Sequence, residues 1–237
     1  MSHFTVIPIT ANSLAGVDLF RQIDSRQRAV IAPMCHGRRY SAGTEILASH
    51  DNSREIYFLV SGVVRVTYFS RTGKEIAFRD QEAGQMFGEL SAIDGLPRSA
   101  EVIAHTDVVA AVLNQSDFME LICRTPVLAE RVLRHLSSLV RLLSDRVIEF
   151  STLGVNNRIH AELLRLSSRF VSENGSARIS PVPTHFDLAS RVSTHREAVT
   201  RELRRLESKG LLTRNRDEWV ITDYARLQLM VKELLGP

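Results

Sequence analysis

At 237 residues, with 44% hydrophobic and 24% charged side chains, the chain has the balance of an ordinary globular protein, with room for one large domain or two smaller ones. No stretch reaches the roughly 18 to 20 uninterrupted apolar residues that span a bilayer, and MSHFTVIPITANS lacks the basic start and apolar run of a signal peptide. A cytoplasmic location without a membrane partner is therefore expected, and the two cysteines, Cys35 and Cys123, are expected as free thiols too few to hold an iron–sulfur cluster.

The formal net charge of +3 is unevenly spread. Residues 1–150 hold 16 Lys+Arg and 17 Asp+Glu, net −1, whereas residues 151–237 hold 14 and 10, net +4. Residues 184–216 alone hold 8 basic and 4 acidic side chains. A basic stripe confined to one short segment suits a phosphate backbone, and on charge alone a solvated helical face accounts for it equally well.

From about Arg38 to Leu113 the chain reads as short strands separated by turns. EIYFLV, GVVRVTYF, EIAFRD and AEVIAHTDVVAAVL are rich in Val, Ile, Phe and Tyr, and Gly43, Gly62, Gly73, Gly84 and Gly88 punctuate them. SRTGKE, between two such runs, is a hairpin signal. Regularly spaced short strands of this kind predict a small β-sandwich or barrel.

At about Ser116 the period changes. Leu133, Leu136, Val140, Leu143, Val147 and Phe150 recur at spacings of 3, 4, 3, 4 and 3, a heptad seam that predicts a long helix pairing with a second copy of itself. Packing against its own domain is the competing account, and Leu139 and Leu142 add a second apolar stripe for that purpose. STLGVNN then reads as a hinge, RIHAELLRLSSRFV as an amphipathic helix and SENGSARISPVP as a polar loop closed by Pro181 and Pro183. LLTRNRDEWVIT reads as a hairpin.

Between the loop and the hairpin, THFDLASRVSTHREAVTRELRRLESKGLL has the form of two helices and a tight turn. Thr184 with Asp187 forms a capping box for the first, which Val192 ends; Ser193 and Thr194 make the turn; Thr194 with Glu197 caps the second, which runs through Lys209. Val199, Leu203 and Leu206 give the second helix one buried stripe, and Arg196, Glu197 and Arg201 stand on its other face near its start. In a helix-turn-helix those first residues enter the major groove, where Arg suits guanine O6 and N7 and Glu accepts from cytosine N4. Thr184, His185 and Arg204 are the candidate phosphate contacts. Capping for Glu197 and solvation for the arginines are the plainer alternatives.

The other dense motif is FGELSAIDGLPRSAEV, in which Glu89 follows Gly88 and the Arg98–Ser99 pair lies nine and ten residues later. Backbone amides, a carboxylate, a guanidinium and a hydroxyl in one segment can close around a small anion, although such pairs standing alone also describe a surface ion pair.

Taken together, the glycine-punctuated strands, GEL…RSA, the long helix and STHREAVTREL resemble the cAMP receptor protein branch of the CRP/FNR regulator family from about Leu19 to Asp223. The resemblance implies an α+β fold: an N-terminal cyclic-nucleotide-binding β jelly roll with its N-terminal helix (1–115), a dimerisation helix and hinge (116–153), and a C-terminal winged helix-turn-helix (154–237). It implies that Gly88 and Glu89 hold the ribose 2′-hydroxyl, that Arg98 and Ser99 hold the cyclic phosphate, and that Leu90 and Ala100 lie beside them. Half-sites like TGTGA in an inverted repeat are implied as well, with double-stranded DNA, a second copy of the chain and RNA polymerase as partners. In that branch a Thr-Ser pair on the dimer helix contacts adenine, and an ungapped match puts Leu143 and Ser144 there. Ser144 suits adenine or guanine, so cAMP and cGMP both remain open as the allosteric effector. Ser193 replaces the family's turn glycine, a tolerable change if its φ stays negative. Arg98→Ala is expected to abolish the nucleotide response while sparing the fold.

Two other readings are a constitutive or differently liganded regulator, and a nucleotide-binding regulatory subunit of an enzyme. Catalysis itself has no support: no nucleophile–base constellation or metal-ligand spacing is visible, and the eight histidines are scattered. Neither an enzyme activity nor a metal is expected.

Overall fold

In the computed structural model residues 4–69 and 75–235 are described, and they belong to two units, residues 1–137 and 138–237, divided inside the longest helix. Each is taken by itself.

The first unit opens with β1 (Thr5–Ile7), α1 (Ala11–Ala15), a 3-10 turn at Asp18–Phe20 and α2 (Ser25–Ile31). Its strands follow as β2 (His36–Tyr40), β3 (Glu45–Leu47), β4 (Ile56–Ser61), β5 (Val63–Phe69), β6 (Glu75–Glu82) and β7 (Met86–Phe87). After α3 (Glu89–Asp94) come β8 (Glu101–Ala104), β9 (Val108–Leu113), α4 (Gln115–Arg124) and α5 (Pro126–Thr152). Two antiparallel sheets result, in strand orders β1-β2-β9-β4-β7 and β3-β8-β5-β6. The hairpin signal SRTGKE falls almost wholly on residues outside those described, while the flanking β5 and β6 pair antiparallel down to Phe69 opposite Glu75.

The uninterrupted apolar runs have a physical cause. In β4, Tyr57 and Leu59 face the interior between the sheets, whereas Ile56 and Phe58 face a second core with Phe20, Phe118 and Leu128. β9 does the same, with Val108, Ala110 and Val112 on one side and Ala111 and Leu113 on the other. A strand buried on both faces loses its polar alternation. The run AEVIAHTDVVAAVL, read from sequence as one stretch, divides at His105–Asp107 so that β8 and β9 serve different sheets.

On α5, Leu128 and Val132 belong to the core of the first unit and Leu136 packs against it. Leu133, Val140, Leu143, Val147 and Phe150 are exposed, Val147 by 65%. The seam thus forms a stripe of apolar side chains facing solvent in a single chain, with Leu136 the exception that turns inward.

The second unit contains the end of α5, then α6 (Val155–Ser167), β10 (Ala177–Ile179), α7 (His185–Arg191), α8 (Arg196–Ser208), β11 (Leu212–Arg214), β12 (Trp219–Ile221) and α9 (Tyr224–Leu235). Helices and the sheet β10-β12-β11 enclose one core that includes Ile159, Leu188, Val199, Leu203, Leu206 and Trp219. The segment read as a polar loop contains β10, too short to show a period. No helix among the described residues is long and apolar enough to cross a membrane.

Candidate functional site

Gly88 follows β7 and caps α3 with φ 79°, a left-handed backbone that glycine adopts at no steric cost. A Cβ there would lie 2.7 Å from an Arg98 nitrogen and 3.0 Å from the Glu55 carbonyl oxygen. The space that a side chain would fill is held by the Arg98 guanidinium. Arg98 is only 2% exposed. Its Nε donates to Ser53 Oγ at 3.1 Å, and its terminal nitrogens donate to the Gly88 carbonyl at 2.9 Å and the Glu55 carbonyl at 2.7 Å.

The main chain of Arg98 is pinned as well, donating to the Asp51 carbonyl and accepting from the amide of His50, a residue with φ 65°. Glu55 in turn is held by Arg38 at 2.5 Å. Five N–H groups minus three leaves one on each terminal nitrogen without a described acceptor, a fork suited to two oxygens of an anion. Burial lowers the Arg98 pKa from its ordinary value, with nearby Tyr57, Asp51, Glu55 and Glu89 opposing. Because the guanidinium joins three segments of the first unit, Arg98→Ala is expected to cost stability as well as the nucleotide response.

Glu89, the first residue of α3, is 4% exposed. Burial alone would raise its carboxyl; His135 hydrogen-bonded at 3.3 Å, its own backbone amide and Arg79 at 3.9 Å hold it below the usual carboxylate range. Ala100 is buried, while Leu90 and Ser99 are exposed. Gly88, Glu89 and Arg98 are thus brought together, with Ser53, Glu55 and His135 as neighbours that sequence reasoning missed. Leu143 and Ser144 belong to the second unit, exposed on α5, where the Ser144 hydroxyl donates to the Val140 carbonyl at 3.0 Å.

In the second unit the Thr184–Asp187 capping box is present. The one expected from Thr194 and Glu197 is not: α8 begins at Arg196 after His195, which makes no side-chain cap. Thr194 is occupied in the turn, its amide donating to the Ala189 carbonyl at 2.9 Å. That bond closes α7 in the Schellman manner and requires a left-handed residue between, so Ser193 takes φ 51° and the condition of a negative φ is not met. With capping removed as an alternative, Glu197 is an exposed carboxylate beside exposed Arg196 and Arg201.

The basic residues divide by use. Arg191 is buried on Glu162, Arg205 lies 3.5 Å from Glu202, and Arg214 is bidentate on Glu207 at 2.8 and 2.6 Å. Arg196, Arg201 and Arg204 make no ion pair among the described residues and are exposed. Thr184 and His185 differ from expectation as phosphate contacts, because their polar atoms are spent inside the unit. The Thr184 hydroxyl donates to Asp187, and His185 bonds Thr200 at 2.8 Å and Arg214 at 3.1 Å.

Glu162, wholly buried on α6, ties together Arg146 of α5 at 2.8 Å, Arg165 of α6 and Arg191 of α7 at 3.3 Å. His160 and Glu202, also buried, bond at 2.7 Å between α6 and α8. Cys35 and Cys123 are free, and burial next to Asp117 pushes the Cys35 thiol up to about 12. Among the described residues no cluster of three or more His, Cys, Asp or Glu is placed to hold a metal.

The family of cyclic nucleotide-binding domains matches residues 37–125, and that of Crp-like helix-turn-helix domains matches residues 157–230. The chain is 25% identical over 215 residues to the CRP-like cAMP-activated global transcriptional regulator of Mycobacterium tuberculosis, covering 90% of this chain and 96% of that protein. It is 27% identical over 202 residues to the cyclic AMP receptor protein of Thermus thermophilus, covering 84% and 89%. A solved structure of a CooA mutant from Carboxydothermus hydrogenoformans shares the fold with a TM-score of 0.77 at 16% identity, over 96% of this chain and 98% of that one. With the two domain matches in the order, and over the length, of those regulators, the chain belongs to the CRP/FNR family: a DNA-binding transcription regulator with a cyclic nucleotide-binding domain, and not an enzyme.

Proposed function

We propose that this chain is a homodimeric, cytoplasmic regulator gated by cAMP, cGMP or both. The observation that carries the reading is the buried Arg98, fixed by three protein acceptors beside Gly88 with two N–H groups left over. A preorganised fork of that kind suits a singly charged cyclic phosphate. Gly88 and Glu89 hold the ribose, Ser99 assists Arg98, and Leu90 and Ala100 complete the cassette. The names of the two relatives favour cyclic AMP. The resemblance alone assigns Leu143 and Ser144 to the purine, which leaves guanine open.

The solvent-facing stripe of Leu133, Val140, Leu143, Val147 and Phe150 supports pairing with a second copy, because apolar side chains at heptad spacing gain most against the same pattern. Leu136 contributes only its outer edge. On DNA, Arg196, Glu197 and Arg201 read base edges in half-sites like TGTGA and Arg204 meets phosphate, while Thr184 and His185 brace the element. RNA polymerase is the further partner. Nucleotide acts by binding the DNA-competent state more tightly than the other, which is the condition for any population shift.

Calorimetric titration with cAMP and with cGMP, alongside gel shifts on a TGTGA inverted repeat with and without nucleotide, tests this. At least one nucleotide is expected to bind and to strengthen DNA binding. Binding of neither, or DNA affinity indifferent to both, rejects the reading.

A further inference from the structure

Within the first unit a polar contact joins the effector cassette to α5. Glu89 Oε1 lies 3.3 Å from His135 Nε2. A carboxylate at neutral pH only accepts, so that ring nitrogen carries the proton. Arg79 of β6 approaches the same oxygen at 3.9 Å. Both side-chain partners stand on Oε1, with Glu89's own backbone amide bonding the carboxylate as well. His135 sits between Val132, in the core of the first unit, and Leu136, packed against it. Its other surroundings are a cleft of about 600 Å³ bounded by the Asp18–Phe20 turn, the Gly84–Met86 turn and α5, so the ring is in reach of solvent.

On α5 the polar link to Glu89 is made by His135. Holding Oε1 fixes the rotamer of Glu89 and presents Oε2 to a hydroxyl donor. Any shift of the carboxylate is then felt at α5 through the same bond.

We infer that His135 is a positioning residue for the effector: it holds Glu89 in the orientation that accepts a ribose hydroxyl and joins that carboxylate to the helix bearing the seam. The inference rests on the reading of Glu89 as the ribose ligand. The titratable and charged groups facing Glu89 are His135 of α5, Arg79 of β6 and Arg98. Without the imidazole its own backbone amide and the two guanidiniums remain to keep the buried carboxylate ionised.

The test compares wild type, His135→Leu and His135→Gln by calorimetry with cAMP and cGMP from pH 5.5 to 8. Binding to a TGTGA inverted repeat at saturating nucleotide is measured in parallel. His135→Leu is expected to bind nucleotide about tenfold more weakly, to lose affinity at a higher pH than wild type does, and to gain less DNA affinity from it. His135→Gln, which keeps an N–H donor at similar reach, restores all three. The His135 ring resonance in wild type is expected to move when nucleotide saturates.

A wild type that binds neither nucleotide overturns the effector reading itself. If wild type binds and His135→Leu matches it in affinity, pH profile and DNA response, the role of His135 alone is overturned. A His135 resonance indifferent to saturating nucleotide overturns it too, without any variant.

Discussion

The arginines of the cassette and those of α8 are one residue type put to opposite uses. Arg98 is buried, with three of its N–H groups committed to protein acceptors before any ligand arrives. Arg196, Arg201 and Arg204 are exposed and have no ion pair among the described residues. A site for one small anion gains from a guanidinium already immobilised, since ordering it on binding would cost about 0.5 to 1.5 kcal/mol. A surface that slides along a polyanion and samples many base edges gains from side chains still able to move. Burial alone does not mark a ligand site, since Arg146 and Arg191 are buried on Glu162; what sets Arg98 apart is the pair of N–H groups left without a described acceptor.

That contrast is open to attack at several points. The largest effect is expected at Glu162, where removal leaves Arg146, Arg165 and Arg191 without their shared carboxylate. Glu162→Ala should cost the second unit about 3 to 5 kcal/mol in denaturant unfolding. Burial pushes this carboxyl up, but the three guanidiniums outweigh it and the net shift is downward from 4.5. Its contribution is thus present above pH 4.5 and lost as pH falls through the lower folded value.

Next comes Arg98→Lys, which keeps the charge and loses the fork. Nucleotide affinity should fall by about a hundredfold, or about 2.8 kcal/mol, in the same calorimetric titration. An unchanged affinity would mean that preorganisation of Arg98 is irrelevant to binding. Arg196→Ala should relax discrimination at one guanine by about 1 to 3 kcal/mol, read from gel shifts on single-base variants of the half-site. Weakening that is uniform over all sequences would instead class Arg196 with Arg204 as a phosphate contact.

The smallest effect concerns backbone. Two turns in the second unit close with the same left-handed residue and long bond: Ser193 with Thr194 to Ala189, and Gly210 with Leu211 to Leu206. Glycine fills one and serine the other. Ser193→Gly should therefore stabilise the unit by about 1 kcal/mol, seen as a higher Tm. A lower Tm would show that the serine side chain more than offsets its backbone strain.

Much of this was legible from residue pattern, and the failures have causes. Double-faced burial made β4 and β9 visible as apolar runs, and the buried stripe of Val199, Leu203 and Leu206 located α8. The Thr194–Glu197 pair fits the spacing of a capping box, yet α8 begins one residue later, after His195. β10 was invisible because three residues carry no period. Ser53, Glu55 and His135 went unseen for another reason: they meet Arg98 and Glu89 only through contacts distant in sequence. His185 and Thr184 look like free polar groups until the fold shows both already bonded.

His185 has a consequence of its own. Arg214 can only donate, so the Nε2 it faces must be a bare lone pair, and the ring is neutral with its proton on Nδ1 toward Thr200. Thr200 in turn donates to the Arg196 carbonyl, so the chain of donors runs from the wing strand into the first turn of α8. Desolvation, Arg214, Arg196 and Arg204 lower the ring's pKa from 6.5, against Glu207. Because the folded ring resists the proton that the unfolded ring accepts, its contribution to stability is present above pH 6.5 and is lost as pH falls through the lower folded value. The wing and the reading helix are fastened by a joint that acid undoes.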